Sequence, residues 1–163
     1  MQELIDKLPR FDLNNAKDLY LFDTCFLIDL FEKSPHPRIN FDFAMTSFNA
    51  QELMHNIHKI KPFVKDNIRN YLKSANNISI LELPIGPGDW KGEKEFVRAV
   101  DSALLMEIPD ASDAVLIAAA ITTNSSIFTK DRHHLYTAML GNFLQKYNIK
   151  VWKKLKDKDK KVQ

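Results

Sequence analysis

The sequence predicts an α/β fold: a three-layer α/β/α sandwich around a central parallel sheet of about five strands. Two observations carry this prediction. Short apolar runs of strand length alternate along the chain with longer segments of helical period. The first of them, Leu19–Phe22, is apolar throughout, as in a strand covered on both faces. A third observation concerns placement. Carboxylates stand just past the strand ends, with Asp23 after Leu19–Phe22 and Asp131 after Ser126–Thr129.

The 163 residues favour one domain with a single core. Met1–Asp18 has no apolar stretch of the signal-peptide kind, and no apolar run spans a bilayer. The one cysteine, Cys25, excludes an internal disulfide and a cysteine-based zinc site, and its apolar neighbours predict a buried thiol. The expectation is a cytoplasmic protein that does not engage a membrane. The net charge of +2 is unevenly spread, because Lys153–Gln163 holds six lysines against two aspartates. That gives three parts: a helical extension over 1–18, a folded domain over 19–152 and a basic tail over 153–163.

Leu4, Ile5 and Leu8 make the extension amphipathic, and Pro9 closes it. Leu19–Phe22 is the first strand. Phe26, Leu27, Leu30 and Phe31 then fall at helical spacing, so a helix leaves the strand tip with Asp23 or Thr24 available as its cap. Lys33–Arg38, with two prolines, is a loop. Phe41–Thr46 is the second strand. A helix starting near Ser47 or Asn49 carries Glu52, Leu53, Ile57 and Ile60. Pro62 opens another helix through Ala75. Ile78–Leu83 is the third strand, and Pro84–Gly88 a loop. Asp89–Met106 reads as one helix with Phe96, Val97, Val100, Ala103 and Leu104 inward. The alanine-rich segment Ala111–Thr122 is the most regular helix. Ser126–Thr129 is the fourth strand, a helix covers His133–Tyr147, and Ile149–Trp152 is an edge strand.

Asp23, Glu52, Asp113 and Asp131, with Asp110 as a fifth acid, occupy equivalent places: strand ends, or first turns of the helices beside them. In a parallel sheet those places share one rim. Like charges gathered there repel and raise one another's pKa values. A bound Mg²⁺ or Mn²⁺ relieves this, since hard ions take oxygen ligands. Metal-assisted phosphodiester hydrolysis is the chemistry that follows. Each acid also has a plain structural reading. Asp23 and Asp110 can be N-caps, and Glu52 can close a capping box with Asn49. Asp113 can sit at a positive helix end, and Asp131 can start a turn. Asp29, four before Lys33, reads as a surface ion pair.

These motifs resemble the PIN domain family, in particular the VapC-like ribonuclease toxins, over about residues 19–152. The matching segments are Phe22-Asp23-Thr24 with its apolar helix, Glu52-Leu53, Asp113–Ala120 and Thr129-Lys130-Asp131. Two positions depart. Asn49 stands where the family often has Ser or Thr, and His134 where it often has an aromatic residue. The resemblance implies a Mg²⁺- or Mn²⁺-dependent endoribonuclease, frequent homodimers and, for toxins, a small antitoxin protein. Asp23, Glu52, Asp113 and Asp131 are then the catalytic and metal-holding acids. Thr24, Thr129 and Asn49 would orient them from behind. Lys130, Arg132, His133 and His134 would meet RNA phosphate, because a purely acidic rim repels RNA. Lys61, Lys65, Arg69 and Lys73 form a basic helix stripe, read either as a solvated face or as a phosphate track. Two rivals are a phosphotransfer domain of similar architecture and a non-catalytic PIN scaffold. The first lacks the Asp-x-Asp of the dehalogenase type, since Cys25 follows Thr24; the second would be marked by a lost acid.

Overall fold

The computed structural model describes residues 1–130 and 138–156. Six strands form one sheet: β1 Arg10–Asp12, β2 Tyr20–Phe22, β3 Phe43–Thr46, β4 Ile78–Glu82, β5 Ser126–Phe128 and β6 Val151–Trp152. Their order is β1-β4-β3-β2-β5-β6, and every neighbouring pair is parallel. The helices are α1 Gln2–Asp6, α2 Thr24–Lys33, α3 Ser47–His55, α4 Pro62–Ser74, α5 Trp90–Val100, α6 Leu104–Glu107, α7 Ala111–Thr122 and α8 Ala138–Gln145. A 3-10 turn, Ile57–Lys59, follows α3. Among the described residues no helix is long and apolar enough to cross a membrane.

Successive strand residues point to opposite faces, so each strand feeds two cores. Leu21, Ala44, Leu81 and Ile127 pack with Val97, Leu104 and the α7 alanines on one side. Phe22, Phe43, Ile80 and Phe128 pack with Phe26, Phe31, Val64 and Ile68 on the other. Helices therefore cover both faces, which is the sandwich the apolar strands predict. Phe22 is the hub of the second core: its ring stacks on Phe43 at 4.1 Å between centroids and meets Phe26 edge-on at 5.0 Å. Truncating such a side chain to alanine typically costs about 3–5 kcal/mol.

Three expectations need correction. The sheet has six strands because the N-terminal segment is not helical throughout. After the short α1, Arg10–Asp12 runs along β4, with Arg10 opposite Ile80 and ion-paired to Glu82. All three β1 residues are exposed, so the strand shows no burial pattern in the sequence. The single helix expected over 89–106 is broken. Asp101 adopts an extended backbone, and its carboxylate accepts the Ala103 N–H at 2.8 Å, a local turn that competes with helix continuation. The helix after the second strand stops at His55, so Ile57 and Ile60 lie beyond it.

Candidate active site

The strand order places β2 between β3 and β5, so the carboxyl ends of these three strands are neighbours. Asp23 directly follows β2, and its N–H donates to the Phe128 carbonyl at 2.9 Å. It occupies the N-cap position of α2, yet its side chain makes no capping hydrogen bond. The carboxylate turns to the rim instead. Its Oδ2 accepts the Thr129 hydroxyl at 2.6 Å and the Cys25 thiol at 2.8 Å, and its Oδ1 faces the Asn49 amide at 3.4 Å.

Glu52 approaches from α3. This helix is capped by Thr46, whose Oγ1 accepts the Asn49 N–H at 3.0 Å and donates to Asn49 Oδ1 at 2.6 Å. That exchange replaces the expected Asn49–Glu52 box and fixes the amide of the buried Asn49. The amide Nδ2 then lies 3.1 Å from Glu52 Oε2 as well as facing Asp23. Thr24 Oγ1 donates to the Asn49 carbonyl at 3.1 Å and lies 3.4 Å from Glu52 Oε2. Glu52 Oε1 accepts no hydrogen bond among the described residues.

Burial and the nearby charge of Asp23 push Glu52 up to about 7; the bonds from Asn49 and Thr24 oppose this, and Asp113 adds to it. Asp113 therefore acts on Glu52 from the first turn of α7. Asp110 behaves differently from Asp23. It is exposed, and its Oδ1 caps α7 by accepting the Ser112 N–H at 3.0 Å. The structure thus brings Asp23, Glu52, Thr24, Asn49 and Thr129 into direct contact, with Asp113 beside them and Asp110 at the margin. Asp131, Arg132, His133 and His134 lie outside the described residues.

Among the described residues no three acids, histidines or cysteines close to metal-binding distance. What they offer is an oxygen-only donor pair, with a third acid near enough to repel it. The donors that touch Asp23 and Glu52 (Thr24, Asn49, Thr129 and Cys25) are all neutral, so the negative charge is left uncompensated by them. This donor set fits a hard divalent cation.

Cys25 lies in the site and not in the core. Its Sγ accepts the Lys130 N–H at 3.3 Å, and burial together with Asp23 pushes the thiol up to about 12, so it stays protonated. Its signal was its place one residue after Thr24, in the first turn that faces the rim. The Lys130 ammonium pairs with Asp29 at 3.3 Å, and Asp29 also holds Lys33 at 2.6 Å, so the expected surface pair gains a second cation. His55 and His58 are exposed, and the stripe residues Lys61 and Arg69 pair with Glu32 and Asp66.

A parallel α/β sandwich with acids at the carboxyl ends of its strands defines an acid-rimmed α/β domain. The PIN domain family model matches residues 20–138, and the chain belongs to that family. PIN domains are generally nucleases. In the crystal structure of VapBC2 from Rickettsia felis bound to a DNA fragment from its promoter, a chain shares the fold. The TM-score is 0.50 at 15% identity, over 82% of this chain and 97% of that one. No curated protein matches.

Proposed function

We propose that this protein is a Mg²⁺- or Mn²⁺-dependent endoribonuclease acting on single-stranded or looped RNA. The observation that carries the reading is the Asn49 amide set between two carboxylates, one of which, Glu52, is pushed up to about 7 by burial and by its acidic neighbours. Among the described residues the two carboxylates are held in place by neutral donors.

Asp23, Glu52, Asp113 and Asp131 would hold the ion, with Asp110 as an outlying fifth acid. When bound, such an ion supplies an activated water and offsets charge on phosphoryl oxygens. Thr129, Cys25 and Asn49 hold the Asp23 carboxylate, and Thr24 and Asn49 hold Glu52. Lys130, Arg132, His133 and His134 would contact RNA phosphate. The reaction is hydrolysis: a water oxygen bonds to phosphorus, the P–O3′ bond breaks and O3′ takes a proton. The products carry a 5′-phosphate and a 3′-hydroxyl. The VapBC2 neighbour and the family resemblance support a toxin role with a small antitoxin protein as partner, and the family resemblance supports a homodimer.

Purified protein should cleave single-stranded RNA with Mn²⁺ and stop in EDTA. Mn²⁺ at a hundredfold excess over Kd should stabilise the fold by about 2.7 kcal/mol through mass action. Cleavage that persists in EDTA and leaves 2′,3′-cyclic phosphate would move the chemistry to histidines. RNA binding without turnover would leave a non-catalytic scaffold. Light scattering of the chain, alone and co-expressed with the product of the adjacent gene, checks the dimer and the partner.

A further inference from the structure

We propose that Glu93 is a positioning residue that holds the first turn of α7, and with it Asp113, at its place opposite Glu52. Where this touches metal binding, it rests on the reading of the rim as a cation site. Glu93 is 2% exposed, although it sits only one turn into α5. A carboxylate is seldom found that deeply buried without a specific task for its oxygens. Both oxygens are engaged. Oε1 accepts the Gly88 N–H at 2.9 Å, and Oε2 accepts the Ser112 hydroxyl at 2.7 Å.

These two donors belong to different parts of the molecule. Gly88 ends the loop between β4 and α5 and has φ +92, a backbone conformation that favours glycine. Ser112 lies in the first turn of α7, between Asp110 and Asp113, and its own N–H is held by Asp110. The loop also rests on α3. A Cβ on Gly86 would lie 2.8 Å from the side-chain oxygen of Gln51, the residue before Glu52. Ser47, at the start of α3, accepts the Leu83 N–H at 2.9 Å. The loop therefore lies between the helix that carries Glu52 and the helix that carries Asp113. Glu93 fastens its far end to the second of them. An apolar residue at 93 would pack as well but would leave a backbone N–H and a hydroxyl without their acceptor. The negative charge also suits the positive end of α5.

Three variants test this: Glu93→Ala removes both bonds, Ser112→Ala removes one, and Glu93→Gln keeps the size and an acceptor. Two readouts are used, amide exchange over residues 111–114 and the Mn²⁺ midpoint of the folded protein. In Glu93→Ala we expect exchange of that turn to quicken at least tenfold while the first turn of α4 is unchanged. Mn²⁺ binding should weaken at least tenfold. Ser112→Ala should move both readouts in the same direction by less, and Glu93→Gln should stay within about threefold of wild type. The proposal is overturned by a folded Glu93→Ala or Ser112→Ala protein whose turn exchanges as in wild type. It is equally overturned by a loosened turn with an unaltered Mn²⁺ midpoint, since Glu93 would then be a loop anchor only. Should Glu93→Ala not fold, Ser112→Ala decides by the same two readouts. If wild type itself ignores Mn²⁺, the metal reading fails separately, and the exchange data alone decide whether Glu93 holds the turn.

Discussion

The two rims of the sheet are made from similar residues and put to opposite uses. At the amino rim, before β2, β5 and β6, stand Asp18, Asn124 and Asn148, all with left-handed backbones. Asn124 donates to Asp18 at 2.6 Å. Nearby, Asn77 satisfies the carbonyls of Ile39 and Phe41 and accepts the Tyr71 hydroxyl at 2.8 Å. Amides there close the backbone of turns, and Asp18 accepts one from Asn124. At the carboxyl rim a single buried amide, that of Asn49, faces two carboxylates, and a third acid stands close by. The difference teaches that polar residues at a sheet end do not by themselves mark a site. Acids left facing one another make the carboxyl rim the candidate.

Paired substitutions at the two rims make the contrast measurable. Asp23→Asn keeps the shape of the side chain and should lower RNA cleavage by more than the 10–100-fold typical of residues that only support a metal site. Asp18→Asn should leave cleavage unchanged. Comparable kcat for metal-loaded Asp23→Asn and wild type would remove Asp23 from the site.

The next pair separates orientation from stability. Asn49→Ala should weaken Mn²⁺ binding by about 10–100-fold. Asn77→Ala should instead cost about 1–3 kcal/mol of stability through the unsatisfied groups it leaves, with kcat/KM per folded molecule unchanged. Denaturant titration and metal titration of both variants distinguish the two; equal effects on metal binding would erase the contrast.

The smallest expected effect is on pH dependence. The folded protein holds the Glu52 proton more tightly than the unfolded chain, because burial and Asp23 push the group from 4.5 to about 7. Glu52 therefore contributes more favourably below pH 4.5, loses ground as pH rises towards 7, and imposes its full penalty above that. In EDTA, Glu52→Gln should raise Tm over wild type more at pH 8 than at pH 5. Saturating Mn²⁺ should abolish that advantage, since the ion requires the carboxylate. A Tm difference that is equal at both pH values would contradict the raised pKa.

The parts of the fold readable in advance were those with strong local contrast. Tyr20–Phe22, Phe43–Thr46 and Ile78–Glu82 are mostly buried runs, and Pro62 and the α7 alanines mark their helices plainly. β1 was hidden because its residues are exposed and its partner is distant in sequence. In the site, the acids could be named from their places after strands, but not what each one does. Asp23 and Asp110 both sit at N-caps, and only the surrounding packing turns one to the rim and leaves the other on its own helix. Glu93 did carry a signal. Phe96, Val97 and Val100 stand three, four and seven residues after it, so it falls on the inward stripe of α5 as its one acid.

The position of β1 also bears on how the chain assembles. It precedes the other five strands of this sheet in sequence, yet its hydrogen-bonding partner is β4, with Arg10 opposite Ile80. Until Ile78–Glu82 has been synthesised and paired with β3, the segment has no template. Closing so long a loop is slow, so we expect β1 to join late. Until it does, the outer side of β4 presents unpaired N–H and C=O groups to the solvent, an edge open to strands of other chains. Pairing with β1 then covers that edge, and the Arg10–Glu82 ion pair ties the two strands together.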